Sequence, residues 1–144
     1  MKTIRALLLI VFLLSTLSAC SNTKAVPEEV QTDLIAAAEP ITDRLLAALA
    51  ANDYDSFVQD MEPKMKSAMT PEQFDALRQL LDSKAGAYQS RQLNTVQQSG
   101  DFYIILYTAT FEKSPAVTIR VVLTNTTPYQ LTGLWFDSPE LRQK

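Results

Sequence analysis

The order of apolar and polar positions divides the chain into three stretches. The first is an apolar run from Ala6 to Leu17, broken only by Ser15 and Thr16, with Lys2 and Arg5 before it and the small residues Ser18 and Ala19 after it. The second runs from Pro27 to Ala51. There Val30, Leu34, Ala37, Ile41, Leu45 and Leu49 recur at three- and four-residue steps, a single apolar stripe that predicts a helix. Pro40 interrupts the stripe and predicts a kink, or two helices meeting. Asp53 is placed to cap a short helix carrying Tyr54, Phe57, Val58 and Met61. Pro63 opens another turn through Met65 and Met69. Thr70-Pro71-Glu72-Gln73 reads as a helix start, with Thr70 as cap, Pro71 at the first helical position and Gln73 completing a capping box. Phe74, Leu77, Leu80 and Leu81 form the apolar face of that helix, and Gly86 ends it or its exit turn.

After Gly86 the apolar period changes to two, in a stretch rich in Thr, Val, Ile and Tyr. Four strands are predicted, at about Ala87–Gln97, Phe102–Glu112, Ala116–Asn125 and Tyr129–Asp137. Ser99-Gly100, Lys113-Ser114-Pro115 and Thr126-Thr127-Pro128 supply turns short enough to make them consecutive antiparallel hairpins. Val117, Ile119, Val121 and Leu123 are all apolar while Thr118, Arg120 and Thr124 are polar, so the odd face meets the helices. Matching turns would set Tyr107 beside Val121 and Gly133, and Ala109 beside Ile119 and Trp135. Ile104, Leu106 and Val122 then fall on the other face, either as scattered exposed residues or as a contact patch. The first strand is polar on both faces. Either Gln89, Arg91 and Thr95 or Ser90, Gln92 and Asn94 point inward, or the strand is an edge kept polar against strangers. The whole is α+β: amino-terminal helices packed on a curved four-stranded antiparallel meander.

A basic start, a short apolar run and small exit residues make a secretory signal peptide. The run is too short to span a bilayer, which takes roughly 20 apolar residues. Leu17-Ser18-Ala19-Cys20 resembles the lipobox of bacterial lipoproteins at all four positions. The resemblance implies that the chain is cut between Ala19 and Cys20, that the Cys20 thiol carries a diacylglycerol, and that the new amine takes a further acyl chain such as palmitate. Two or more acyl chains anchor stably, one only marginally. The alternative is a free thiol in an exported protein. In lipoproteins an aspartate after the cysteine retains the protein in the inner membrane. Ser21 therefore favours the outer membrane, if the cell has one. The expected organisation is a signal peptide over 1–19, a tether over 20–26 and one α+β domain over 27–144.

Composition narrows the chemistry. The signal holds two of the 13 basic residues and none of the 16 acidic ones, so the exported part is more acidic than the chain's net −3. With no basic cluster, nucleic acid is not an expected partner. There is no histidine, which removes the commonest general base and rules out a Ser-His-Asp triad. Cys20 is the only cysteine, so lipidation closes off disulfides and thiol chemistry. Three glycines do not make a phosphate loop. No metal or cofactor is implied. Asp101, Glu112 and Asp137 at strand ends, and Asp53, Asp55, Asp60 and Glu62 at helix edges, read as caps and solvated surface. Tyr54, Phe57, Tyr103, Tyr107 and Trp135 either line a pocket between helices and sheet or fill the core.

The exported part resembles the cystatin-like, nuclear transport factor two-like superfamily, in which three helices pack into the hollow of a bent sheet. More narrowly, Ala51-Asn52-Asp53-Tyr54-Asp55-Ser56-Phe57, Gly86, and Leu131-Thr132-Gly133-Leu134 resemble a family of unknown function from secreted bacterial proteins, sometimes found ahead of an α/β-hydrolase domain. That resemblance implies a cone-shaped scaffold and no particular activity. The expected function is a lipid-anchored envelope protein whose domain binds a small ligand or a protein without catalysis. The alternatives are a cone-type enzyme using a buried carboxylate, and a homodimer formed through the outer sheet face. Replacing Cys20 by alanine is expected to move the protein from the membrane pellet to the soluble fraction. A Cys20→Ala protein that still sediments with membranes would remove the anchor.

Overall fold

The computed structural model describes residues 23–143. Ala19, Cys20 and Ser21, with the rest of the signal peptide, lie outside the described residues. Within them the order is β1 (Thr23–Ala25), α1 (Glu28–Ala51), α2 (Tyr54–Phe57), α3 (Pro63–Ala68), α4 (Pro71–Lys84), β2 (Tyr88–Ser99), β3 (Phe102–Phe111), β4 (Val117–Thr124), β5 (Leu131–Asp137) and α5 (Pro139–Arg142). The sheet is antiparallel throughout, in the order β1-β2-β3-β4-β5. It has five strands rather than the expected four, because Thr23–Ala25, read from the sequence as tether, pairs with Gln97–Ser99 of β2.

The long helix is not divided at Pro40. Pro40 and Ala36, whose carbonyl loses its partner, both face solvent, so water satisfies what the missing N–H cannot. The opposite face, with Leu34, Ala38, Ile41, Leu45 and Leu49, is buried and holds the helix together. Burial of each leucine or isoleucine there stabilises by about 1.5–3 kcal/mol. The helix ends at Asn52, which takes the left-handed conformation. Asp53 caps α2 as its chemistry requires, accepting from the Ser56 amide at 3.1 Å and the Ser56 hydroxyl at 2.6 Å. These bonds hold its carboxyl below the ordinary range. Thr70 caps α4, its hydroxyl accepting from the Gln73 amide at 3.3 Å. The Gln73 side chain does not close the reciprocal bond of a capping box, so half of that motif forms. Gly86 leaves α4 at φ +77, its amide donating to the Leu81 carbonyl at 2.9 Å. A Cβ there would lie 2.9 Å from that of Glu112, so the tight exit needs glycine.

The odd face of β4 is the floor of the core. Val117, Ile119, Val121 and Leu123 are wholly buried, together with Ile105, Tyr107 and Ala109 of β3, under the apolar face of α1. The β3–β4 register pairs Tyr107 with Ile119 and Ala109 with Val117, two residues from the expected pairing. A two-residue shift keeps every side chain on its face. The β4–β5 pairing departs more consequentially. Leu123 opposes Leu131, but Thr132 is an extra residue, and the ladder resumes at Val122–Gly133 and Arg120–Trp135. One inserted residue turns everything beyond it to the other face. Gly133 and Trp135 therefore sit on the outer face, Gly133 not beside Tyr107 and Val121, and Trp135 not beside Ala109 and Ile119. The Trp135 ring lies on Gly133, where a Cβ would collide with it, and the Arg120 guanidinium stacks above it at 4.9 Å.

Shortening Ile119 to alanine removes the centre of the floor. Ile119→Ala is expected to lower the unfolding free energy in urea by about 2–5 kcal/mol. A loss under about 1 kcal/mol would mean that α1 does not pack on this face.

Candidate functional site

Two features meet where α1 crosses the start of β2. One is a polar cluster. Arg91 points inward from β2, opposite Ala109, with only 9 % of its side chain exposed. Its guanidinium pairs with Glu39 and Asp43, one turn apart on α1, and lies 5.1 Å from the Tyr107 ring centre. Burial works against this charge. Hydrogen bonds to Asp43 and Tyr88, with the charges of Glu39 and Asp43, outweigh it and hold the guanidinium more firmly protonated than usual. The Tyr107 hydroxyl donates to Glu39 at 3.0 Å. Thus one inward arginine on a mostly polar strand ties helix to sheet. Neither set open in the sequence faces inward as a whole: Gln89 is exposed at a register shift between Tyr88 and Ser90, and of its set Arg91 alone points to the helices. The bulge at Asn94 then reverses the strand, so that Val96 faces the core and Thr95 opposes Leu106 outside.

The other feature is a cavity of about 180 Å³. Leu46, Leu49 and Ala50 of α1 form one wall, and Arg78, Leu81 and Asp82 of α4 a second. Gly86, Ala87, Tyr88 and Phe111, at the joined ends of β2 and β3, close the third. Ala50, Asp82 and Ala87 are exposed and make the rim. Tyr88 belongs to both features. Its ring lies edge-on to Phe111 with centroids 5.6 Å apart, and its hydroxyl accepts from Arg91 at 3.4 Å. The wall is apolar except for Arg78 and Asp82, whose nearest charged atoms are 3.5 Å apart.

None of the five aromatics expected around a pocket lines this cavity. Phe57 is wholly buried against Phe74, centroids 4.9 Å apart. Tyr54 packs edge-on to the same ring and donates to the Met69 carbonyl at 2.7 Å. Tyr103 packs on Tyr129, and Tyr107 serves the Arg91 cluster. Trp135 stands on the outer face, 52 % exposed. Of the residues expected on the outer face, Ile104 and Val122 are buried and Leu106 is half-buried, while Phe102 and Trp135 stand exposed. Sequence reasoning missed Tyr88, Phe111 and Arg78. Their only signal is position, at the ends of a hairpin and on the flank of α4, and that becomes visible only when the ends are joined.

Among the described residues no group of three or more His, Cys, Asp or Glu is placed to hold a metal, and no aspartate or glutamate is fully buried. Glu39 is committed to Arg91 and Tyr107.

Residues 43–130 match the model of a family described as "Protein of unknown function (DUF3887)". Every residue lining the cavity lies within that span. No curated protein and no solved structure matches the chain.

Burial, with the Glu39 charge beside it, pushes the Tyr107 hydroxyl from its ordinary 10.0 up to about 12. The folded state thus holds its proton more tightly than the unfolded chain, and that stability is full below pH 10 and lost as pH rises toward 12. The urea unfolding free energy of the wild type is expected to fall more steeply over this range than that of Tyr107→Phe. Equal slopes would show that Tyr107 is not held in the cluster.

Proposed function

The chain belongs to the DUF3887 family, and from that footing we propose that it is a lipid-anchored envelope protein whose α+β domain binds a small ligand without catalysis. The observation that carries the binding reading is the cavity between α1, α4 and the β2–β3 ends. It is concave, mostly apolar, and furnished with a few polar groups at one side, as small-molecule sites generally are. The helices-on-sheet arrangement agrees with a cystatin-like, nuclear transport factor two-like cone, a scaffold whose hollow lies between these layers. The reading of a cone enzyme with a buried acid finds less support, since Glu39 is held in ion pairs and not aimed into the cavity. A homodimer through the outer face also finds less, since Ile104 and Val122 are already buried within the chain.

The anchor reading rests on Leu17-Ser18-Ala19-Cys20. Pairing of β1 with the far end of β2 adds a geometric consequence. Only Ser21 and Asn22 lie between Cys20 and the sheet, a reach of roughly 10 Å. The domain would therefore stand on the membrane at its β2–β3 turn, not swing on a long leash.

Filling the cavity tests the binding reading. Apolar cavities of about 150 Å³ take up benzene. Toluene is expected to perturb the amide resonances of Leu46, Tyr88 and Phe111 in the wild type, and Ala50→Trp to abolish the effect. Resonances indifferent to toluene would count against a ligand site.

A further inference from the structure

We propose that the cavity takes a small water-borne monocarboxylate with an apolar body about the size of a benzene ring, its carboxylate received by Arg78. This rests on the binding reading above and names the ligand's chemistry. The cavity's volume sets the size of the body, and Leu46, Leu49, Leu81 and Phe111 set its polarity.

The charge comes from Arg78. Arg44 has Asp60 at 2.7 Å, Arg142 has Asp137 at 2.7 Å, Arg91 lies between Glu39 and Asp43, and Arg120 stacks on Trp135. Arg78 has only Asp82, at 3.5 Å, outside good hydrogen-bonding range. Its side chain is 24 % exposed, and its Nε, like that of Arg91, is buried with no partner among the described residues. A guanidinium half withdrawn from water and so weakly paired is poised for a planar acceptor that offers two oxygens. Asp82 is largely exposed, so the existing pair contributes little and is readily exchanged.

Position separates the source of the ligand from the membrane. The cavity adjoins Tyr88, and β1 pairs at Ser99, the other end of the same strand. Eleven residue steps along β2 cover roughly 35 Å. A bilayer acyl chain is both too large for the cavity and anchored too far from its mouth.

The test is calorimetric titration of the full chain in detergent with benzoate and with benzyl alcohol, its neutral analogue. The wild type is expected to bind benzoate about tenfold or more tighter, the worth of a hydrogen-bonded charge pair. Arg78→Gln should remove that advantage and leave benzyl alcohol unchanged. Equal binding of both compounds to the wild type, or benzoate binding indifferent to Arg78→Gln, would overturn the carboxylate inference while the cavity reading stood. Failure of benzoate, benzyl alcohol and toluene alike would overturn both. Should Arg78→Gln not fold, Asp82→Asn serves instead. Removing the competing carboxylate should tighten benzoate several-fold, and weaker or unchanged binding would refute the proposal.

Discussion

A guanidinium between a helix and the inner face of a sheet is tolerable only where carboxylates come with it. Arg91 brings that constraint to this fold. Glu39 and Asp43 stand one turn apart on α1, so the helix can meet the arginine with both only by crossing β2 and β3 at one place. Tyr107 adds its hydroxyl to Glu39 and its ring to the guanidinium. The contact fixes how α1 lies on the sheet, and the wholly buried Val117, Ile119 and Val121 supply the stabilisation that the ion pairs do not. Beyond Arg91, toward the carboxyl end of α1, helix and strands part, and α4 does not fill the gap completely. The cavity is that gap.

Polar and apolar features therefore have separate tasks. In the Arg91 cluster each carboxylate is paired with the guanidinium, and the cluster serves position. Arg78 is only weakly paired, and it faces an apolar hollow. Tyr88 stands at the boundary, one side of it on Phe111 and the cavity, its hydroxyl toward Arg91.

Much of the fold was legible because its signals are local. The stripe on α1, the caps Asp53 and Thr70, Gly86, and the alternation of β4 each state their own structure within a few residues. What was not legible depends on distant partners. Thr23–Ala25 has no strand pattern and pairs only because β2 offers a free edge there. Thr132 looks like any strand threonine, yet as a bulge it sends Trp135 outward and empties one place in the expected pocket. Ser138-Pro139-Glu140 does carry a capping signal, for the short α5, and Ser138 accepts from the Leu141 amide at 3.3 Å. The cavity has no local signal at all, since its walls come from three separate parts of the chain.

The most direct measurement of the central claim is a crystal structure of the protein with benzoate. The account predicts a ring enclosed by Leu46, Leu49 and Phe111, with both carboxylate oxygens within hydrogen-bonding distance of the Arg78 guanidinium and Asp82 displaced from it. Benzoate absent from the cavity, or bound there with its carboxylate turned away from Arg78, would contradict it.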